Sequence, residues 1–354
     1  MHKKLLFPTF VIILFVTIGC NSSDSKKNTD VNLFIGLEGL SLEFVKNAPP
    51  PRAFEQSDFP ILLRIKNKGA NSITNNYALL TIGSEKDYIS SVIFDESGQA
   101  LKRNKDNEAK FAIEGKTQIN PKGDEIIASF NAKTGKLDSQ SETRISTITA
   151  NLCYPYKTTL SMTACIDPDV AGIRPGKKVC AVKEQVFNNG QGAPIAITKI
   201  EPQMIPEGEN INPQLLIFIE NKGKGIPINK ENYLYVCGKS DLVNSNSPDN
   251  YNKKTKIWNV AVVRAFGPGR GDENQLTCCP NINGECKEST NGDEITGFLK
   301  FQDKKDFVRC TLKNSKNPIS RNSNAFTSPI RIEIEYGYVQ TISADVIIQK
   351  PLKY

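Results

Sequence analysis

The chain has 354 residues, of which 38% are hydrophobic and 23% are charged, and its formal net charge is +7. This length exceeds one typical domain of about 100 to 150 residues, so we expect two domains of ordinary globular composition. The basic residues are dispersed and alternate with acidic ones, which argues against a nucleic-acid partner.

The N-terminus has the pattern of an export signal. A short positive start at Lys3 and Lys4 precedes a largely apolar run from Leu5 to Gly19. This run of fifteen residues is shorter than the roughly 20 that a helix needs to cross a bilayer. We therefore predict that residues 1–19 are a signal peptide, with an uncleaved membrane helix as the alternative.

The junction between Gly19 and Cys20 resembles the lipobox of bacterial and archaeal lipoproteins, in which cleavage before the cysteine is coupled to lipidation of its sulfur. Thr17 and Ile18 depart from the residues usual in such boxes. The resemblance implies a lipid on Cys20. Residues 20–31 would then be the lipidated cysteine and a flexible polar tether.

From residue 32 onward, short segments rich in β-branched and aromatic residues are separated by Gly, Asn, Asp and Pro. This spacing is typical of a β-sandwich, and no amphipathic helix of three turns is evident. We predict an all-β fold of two sandwich modules, at 32–168 and 195–354, joined by a turn-rich connector at 169–194. The second module carries a cysteine-rich insertion.

Two motifs recur in the same order in both halves. The segment Phe59–Gly69 is echoed by Pro213–Gly223, and each ends in Asn-Lys-Gly. Tyr154–Ser161 is matched by Tyr336–Ser343 in the pattern Tyr-x-Tyr-x-x-Thr-x-Ser. Two matches in register indicate duplication, although shared strand chemistry is an alternative source of the second. We expect each Asn-Lys-Gly to be a turn in which Gly or Asn takes a positive φ.

Eight cysteines remain if Cys20 is lipidated, and an even number in an exported chain indicates disulfides. They are Cys153, Cys165, Cys180, Cys237, Cys278, Cys279, Cys286 and Cys310. The loops between them favour the local pairs Cys165–Cys180 and Cys279–Cys286. Three of the eight lie at or before Cys180 and five follow it, so if all eight pair, at least one bond must join the two groups. We expect Cys153 to bond to a cysteine of the second module. The close Cys-x-x-Cys spacings of zinc sites are absent, so we predict no metal.

The only histidine, His2, lies in the signal. Mechanisms of the Ser-His-Asp and Cys-His types, and metal sites with histidine ligands, are therefore excluded from the mature chain. No phosphate-binding glycine loop is present, and we expect no cofactor and no catalytic residue. A glycosidase could use paired carboxylates, but the candidates lie in or just after turns, where solvated side chains are the favoured interpretation. These candidates are Asp106, Glu108, Asp124, Glu125, Asp293 and Glu294.

Three other motifs have an ordinary interpretation. Asp167-x-Asp169 and Asp241–Asp249 contain oxygen ligands for calcium but lack the twelve-residue calcium-loop pattern. Arg270-Gly271-Asp272 is a tripeptide of the integrin-binding type, which chance alone often produces. Trp258 lies in an apolar segment, where an aromatic residue belongs to the core more often than to a ligand platform.

The strand followed by Asn-Lys-Gly resembles the immunoglobulin-like, cell-adhesion-related repeats of bacterial and archaeal surface proteins. The segments Leu152–Thr158, Cys165–Pro168 and Gln191–Ala196 resemble those of uncharacterised archaeal cell-surface proteins. The similarity covers roughly residues 32 to 350. It implies tandem immunoglobulin-like domains and a surface location, and it carries over no catalytic or ligand residue.

These observations predict an exported, non-catalytic protein held by its N-terminal lipid at the outer face of the membrane or the cell surface. We expect it to bind or scaffold a protein or glycan of the envelope. The alternatives are an enzyme that acts on envelope polysaccharide through paired carboxylates and a mechanical spacer between other components.

Overall fold

The computed structural model describes residues 32–96, 101–238, 257–267, 275–280, 297–312 and 318–351. The chain from Asn32 onward belongs to one compact unit. Its described part consists of strands and one short helix, so the prediction of an all-β fold is confirmed. No helix in this part is long and apolar enough to cross a bilayer.

The first sandwich is built from nine strands. They are β1 (Leu40–Phe44), β2 (Arg52–Phe54), β3 (Asp58–Asn67), β4 (Ile73–Ser84), β5 (Ile89–Phe94), β6 (Lys102–Lys105), β7 (Glu108–Ile113), β8 (Glu125–Thr134) and β9 (Thr143–Ile166). One antiparallel sheet has the order β1-β3-β8-β5, and it packs against the strands ordered β9-β4-β7-β6. Alternation explains the packing, because Phe59, Ile61, Leu63 and Ile65 of β3 are buried while the residues between them are not.

The second sandwich repeats this arrangement. Its elements are β10 (Gln185–Val186), β11 (Ile195–Glu207), β12 (Asn210–Asn221), β13 (Ile226–Ile228), α1 (Tyr233–Gly238), β14 (Val260–Phe266), β15 (Gln275–Pro280), β16 (Gly297–Lys300), β17 (Lys305–Thr311), β18 (Ile319–Ser320) and β19 (Phe326–Gln349). The order β11-β12-β17-β15 corresponds to β1-β3-β8-β5, and β19-β14-β16 corresponds to β9-β4-β7. Strands β14, β15 and β16 and most of β17 come from the stretch between Cys237 and Cys310, so its described part contributes to the sandwich itself.

The two sandwiches share one continuous sheet. Strands β9 and β19 each have 24 residues and pair antiparallel without interruption, from Thr143 opposite Gln349 to Ile166 opposite Phe326. We call β6-β7-β4-β9-β19-β14-β16 the central sheet. Because β9 and β19 are bonded over their full length, the described strands form one body without a hinge between the sandwiches.

The duplicated motifs meet each other in the first sandwich. The Tyr156 hydroxyl donates a hydrogen bond to Oδ1 of Asn67, at 3.2 Å, and accepts one from the Asn71 backbone N–H, at 3.3 Å. The Asn67 side chain also closes its own turn, because its Oδ1 accepts from the Gly69 N–H. The second tyrosine of Tyr-x-Tyr therefore locks the Asn-Lys-Gly turn.

The second sandwich contains the same lock. The Tyr338 hydroxyl donates to Oδ1 of Asn221, at 2.9 Å, and accepts from the Gly225 N–H, at 3.0 Å. Oδ1 of Asn221 also accepts from the Gly223 N–H. Equivalent contacts at equivalent motif positions support duplication rather than a coincidence of strand chemistry.

The expected reason for the two motif glycines was wrong. None of the motif residues Asn67, Gly69, Asn221 and Gly223 has a positive φ. Instead, a Cβ at Gly69 would overlap the Tyr156 hydroxyl, and a Cβ at Gly223 would overlap the Tyr338 hydroxyl. Glycine is required because the tyrosine hydroxyl lies directly against the turn, not because the backbone is left-handed.

Disulfides brace the described part of the chain at Cys153–Cys237, Cys165–Cys180 and Cys278–Cys310. Cys278 and Cys310 face each other across the paired strands β15 and β17. Cys279 is also disulfide-bonded. Its predicted partner Cys286 lies outside the described residues, as does Cys20. The Cys279–Cys286 pair and the lipid on Cys20 therefore stay predictions.

Candidate functional site

The carboxylates that a glycosidase would need are engaged locally. Among those described, Asp106 faces Arg103, Glu108 faces Lys105, Asp124 accepts from Asn120, and Glu125 pairs with Arg64. The partners lie on the same or a neighbouring strand, except that Asn120 lies in the same loop as Asp124, as expected for side chains that stabilise the surface of a sheet. Asp293 and Glu294 lie outside the described residues.

A lysine occupies the position that a cation would take between Asp167 and Asp169. Lys178 Nζ lies 2.7 Å from Oδ2 of Asp167 and 3.0 Å from Oδ2 of Asp169. Hydrogen bonds from its Nζ to both carboxylates raise the pKa of Lys178. Burial disfavours ionisation of Asp169, but hydrogen bonds from Lys178 and two backbone N–H groups outweigh it and lower its pKa. This loop is therefore an internal ion-pair network.

The other singled-out motifs divide into two groups. Asp241–Asp249 and Arg270-Gly271-Asp272 lie outside the described residues. Trp258 forms an isolated bridge with Ile228 and packs beside buried Tyr233. In the described part of the chain, no cluster of three or more metal-ligating side chains is present.

A groove of about 610 Å³ lies on the outer face of the central sheet, where the two sandwiches join. We call it the junction groove and define it by Tyr77, Pro155, Lys230, Tyr233, Phe298 and Glu335. Alternation along β9 places it on this face, because buried Tyr154 and Tyr156 point into the sandwiches whereas Pro155 points the other way.

The segment that carries α1 forms one wall of this groove and is fixed to the central strands. The Cys153–Cys237 disulfide ties α1 to β9. Gly337 of β19 lets the segment approach closely, since a Cβ there would lie 2.7 Å from Tyr233 Cβ and 2.9 Å from Ile228 Cγ1. The disulfide and this close approach hold the wall at a fixed distance from the sheet.

The groove combines exposed aromatic surface with an ion pair. Tyr77 and Phe298 are 47% and 50% exposed, although aromatic side chains are usually buried in such strands. Lys230 Nζ lies 3.1 Å from Oε2 of Glu335, which Arg264 also approaches. Burial raises the pKa of Tyr233 to about 12, so its hydroxyl is neutral under ordinary conditions.

This chemistry suits a ligand with both flat apolar and polar surface, such as a sugar ring or a protein loop. The sequence reasoning did not identify the groove residues. One signal was present, because the segment between the Asn-Lys-Gly turn and the next long strand is much longer in the second half than in the first. The extra length supplies α1 and Lys230.

No protein-family model and no curated protein matches the chain. Among solved structures, it is similar to a partial N-terminal region of an enterococcal surface protein at 6% identity, covering 91% of this chain and 96% of that one, with a TM-score of 0.18. A biofilm-associated protein B domain gives 8% identity, coverage of 89% and 86%, and a TM-score of 0.15.

A plant receptor-like kinase gives 8% identity, coverage of 78% and 82%, and a TM-score of 0.19. Two of these three proteins are named for the bacterial surface or for biofilms. Likenesses with such low scores carry no argument for the function of this chain. The groove must therefore be interpreted from its own residues.

Proposed function

We propose that this protein is an exported, lipid-anchored and non-catalytic protein of the cell surface, and that it binds another envelope component in the junction groove. The signal-like N-terminus and the disulfides support export, since disulfides persist in oxidising compartments. The lack of histidine after His2 and the local pairing of the described candidate carboxylates support a role without catalysis.

The observation that carries the proposal is the position of the groove relative to β1, the first strand of the fold. The Leu40 N–H donates to the Tyr154 hydroxyl, at 3.2 Å, and Gln340 Nε2 donates to the Leu40 carbonyl, at 2.8 Å. This segment therefore covers the inward side of the central sheet, whereas Pro155 and Glu335 face outward. The groove therefore lies on the face of the central sheet opposite β1.

The shared strands make this display rigid. A binding surface built from both sandwiches keeps its shape only if they keep a fixed orientation, and the unbroken β9–β19 pairing provides that. A mechanical spacer would use the same rigidity without using the groove. The two functions therefore differ in whether groove side chains matter.

Site-specific crosslinking on intact cells tests the proposal. A photoreactive phenylalanine analogue at Phe298 should capture a defined envelope component, and a Lys230→Glu substitution should abolish capture. The matched control places the analogue at Ile127, which is 46% exposed on β8 in the other layer of the first sandwich. Equal capture from both positions, or capture that survives Lys230→Glu, would refute binding in the groove.

The anchor is tested separately by mass spectrometry of the mature N-terminus, which should show a lipid-modified Cys20. A polysaccharide-acting enzyme with its active site in the junction groove would use Glu231 and Glu335, the two carboxylates that line it. Release of sugar from isolated envelopes by the wild-type chain, and its loss in Glu335→Gln, would favour that alternative over binding alone.

A further inference from the structure

Lysines and exposed apolar side chains cluster where the described chain begins. We call this cluster the basal patch and define it by Ile35, Lys66, Lys68, Lys116, Ile119 and Lys122. The four lysines line one cavity of about 320 Å³ together with residues 36 to 38. Lys116 Nζ also donates to the Ile35 carbonyl, at 3.0 Å, which joins the lysines to the N-terminal segment.

Two of the four lysines of the patch form ion pairs. Lys68 pairs with Glu38, at 3.2 Å, and Lys66 pairs with Glu125, at 3.6 Å. No acidic side chain in the described ranges forms an ion pair with Lys116 or Lys122. The ammonium group of Lys122 is therefore available to an anionic surface, and that of Lys116 keeps two donors besides the one bonded to the Ile35 carbonyl.

Two apolar side chains of the patch are exposed to solvent. Ile119 is 97% exposed at the tip of the loop between β7 and β8, and Ile35 is 42% exposed. The tip is an ordered turn, because Thr117 N donates to the Asn120 carbonyl and Asn120 N donates to Thr117 Oγ1. A fixed, fully exposed isoleucine beside cationic side chains has the composition of a surface that enters the headgroup region of a bilayer.

The length of chain before the patch limits what it can meet. Twelve positions separate Cys20 from Asn32, so a lipid on Cys20 stays within about 40 Å of Asn32, which lies three residues before Ile35 of the patch. We propose that the basal patch docks on an anionic lipid headgroup surface, with Lys116 and Lys122 contacting phosphate oxygens and Ile119 inserted among the headgroups. This inference rests on the proposed function for the anchor, and it adds a second, reversible membrane contact.

The lipid-free mature chain, beginning at residue 21, tests the patch without the anchor. Its compact unit from Asn32 is complete in this form. It should float with vesicles of phosphatidylcholine mixed with anionic phosphatidylglycerol, but not with phosphatidylcholine alone. Lys116→Gln and Lys122→Gln should each weaken binding about fivefold. Ile119→Ser should weaken it about tenfold.

Matched controls lie elsewhere on the molecule. Ile145, 61% exposed on β9, and Lys102, exposed on β6, should tolerate Ile145→Ser and Lys102→Gln without a change in binding. In a second measurement, brominated lipids should quench the added fluorescence of an Ile119→Trp variant and leave that of an Ile145→Trp variant unchanged.

Three results would overturn the proposal. They are equal flotation with neutral vesicles, equal effects of patch and control substitutions, and preference for a soluble acidic polysaccharide with no dependence on Ile119. The last would assign the lysines to a polymer of the envelope. The assay contains neither the lipid anchor on Cys20 nor the ligand of the junction groove, so a negative result leaves the proposed function standing. Conversely, the finding that Cys20 carries no lipid would not alter the vesicle measurement.

Discussion

Gly223→Ala should break the hydrogen bonds between Tyr338 and the Asn-Lys-Gly turn and destabilise the second sandwich. Tyr338→Phe should add little to this destabilisation in the double variant. A methyl group at this position would overlap the Tyr338 hydroxyl and lie 2.7 Å from Pro194 Cβ. The buried ring can yield only by giving up its hydrogen bonds to Asn221 and Gly225. The required movement therefore breaks the lock.

The magnitude follows from those contacts. The lost bond to Asn221 costs about 1 kcal/mol and the Gly225 N–H left without a partner about 1 to 3 kcal/mol. Overpacking by the methyl adds about 1 to 3 kcal/mol. We expect Gly223→Ala to lower the free energy of unfolding by about 3 to 7 kcal/mol, and Tyr338→Phe alone to lower it by about 2 to 4 kcal/mol.

The double variant distinguishes this reasoning from general disruption. Once the hydroxyl is removed, the hydrogen bonds are lost only once and the methyl gains space, so the double variant should be no less stable than Gly223→Ala alone. The coupling energy should be about 2 kcal/mol or more, measured by urea unfolding of the oxidised protein. Additive effects of the two substitutions would refute the lock.

The first sandwich supplies the control. A Cβ at Gly69 would also lie 2.6 Å from the Gly192 carbonyl oxygen and 2.8 Å from that of Glu38. Removal of the Tyr156 hydroxyl does not move these backbone atoms. Tyr156→Phe should therefore rescue Gly69→Ala less than Tyr338→Phe rescues Gly223→Ala, and equal rescue would contradict the contacts described.

Three further outcomes are expected. Burial raises the pKa of Tyr338 to about 12, so its stabilising effect is complete below about pH 10 and is lost as pH rises through about 12. Tyr338→Phe should reduce the loss of thermal stability over this range without abolishing it, because burial also raises the pKa of Tyr154, Tyr156 and Tyr336. The pKa of Asp169 is lowered, since hydrogen bonds led by that from Lys178 outweigh burial, so its contribution is present above about pH 4 and is lost as pH falls through the lowered pKa. Lys178→Met should weaken this acid dependence in circular dichroism melts. Joint replacement of Cys153 and Cys237 by alanine, which opens a link across 84 residues, should lower the free energy of unfolding by about 2 to 4 kcal/mol and speed proteolysis within α1.

Local chemistry was enough to predict the strands and the duplication. The alternation in β3 and the paired Tyr-x-Tyr motifs are visible in the sequence without knowledge of any contact. The contact between the motifs is not visible, because Tyr156 and Asn67 are 89 residues apart and the reason for Gly69 is a hydroxyl on a distant strand. The glycine was therefore explained by its own backbone, which was the wrong cause.

The junction groove was hidden for a related reason. Tyr77 comes from β4 in the first sandwich and Phe298 from β16 in the second, so neither segment alone indicates a shared surface. Strand alternation gives two faces but does not say which strand lies beside β9. The six-residue helix α1 is too short for a helical period to appear in the sequence.

If the protein is exported as proposed, the full-length pairing of β9 and β19 also governs the order in which it can fold. Lys157 and Glu333, which pair across these strands, are 176 residues apart, so β9 crosses the membrane long before its partner β19. Until then the first sandwich has an open edge of main-chain donors and acceptors, a template for wrong partners. Contacts so distant in sequence form slowly. A holding chaperone outside the membrane would therefore be needed most in the interval between the translocation of β9 and that of β19.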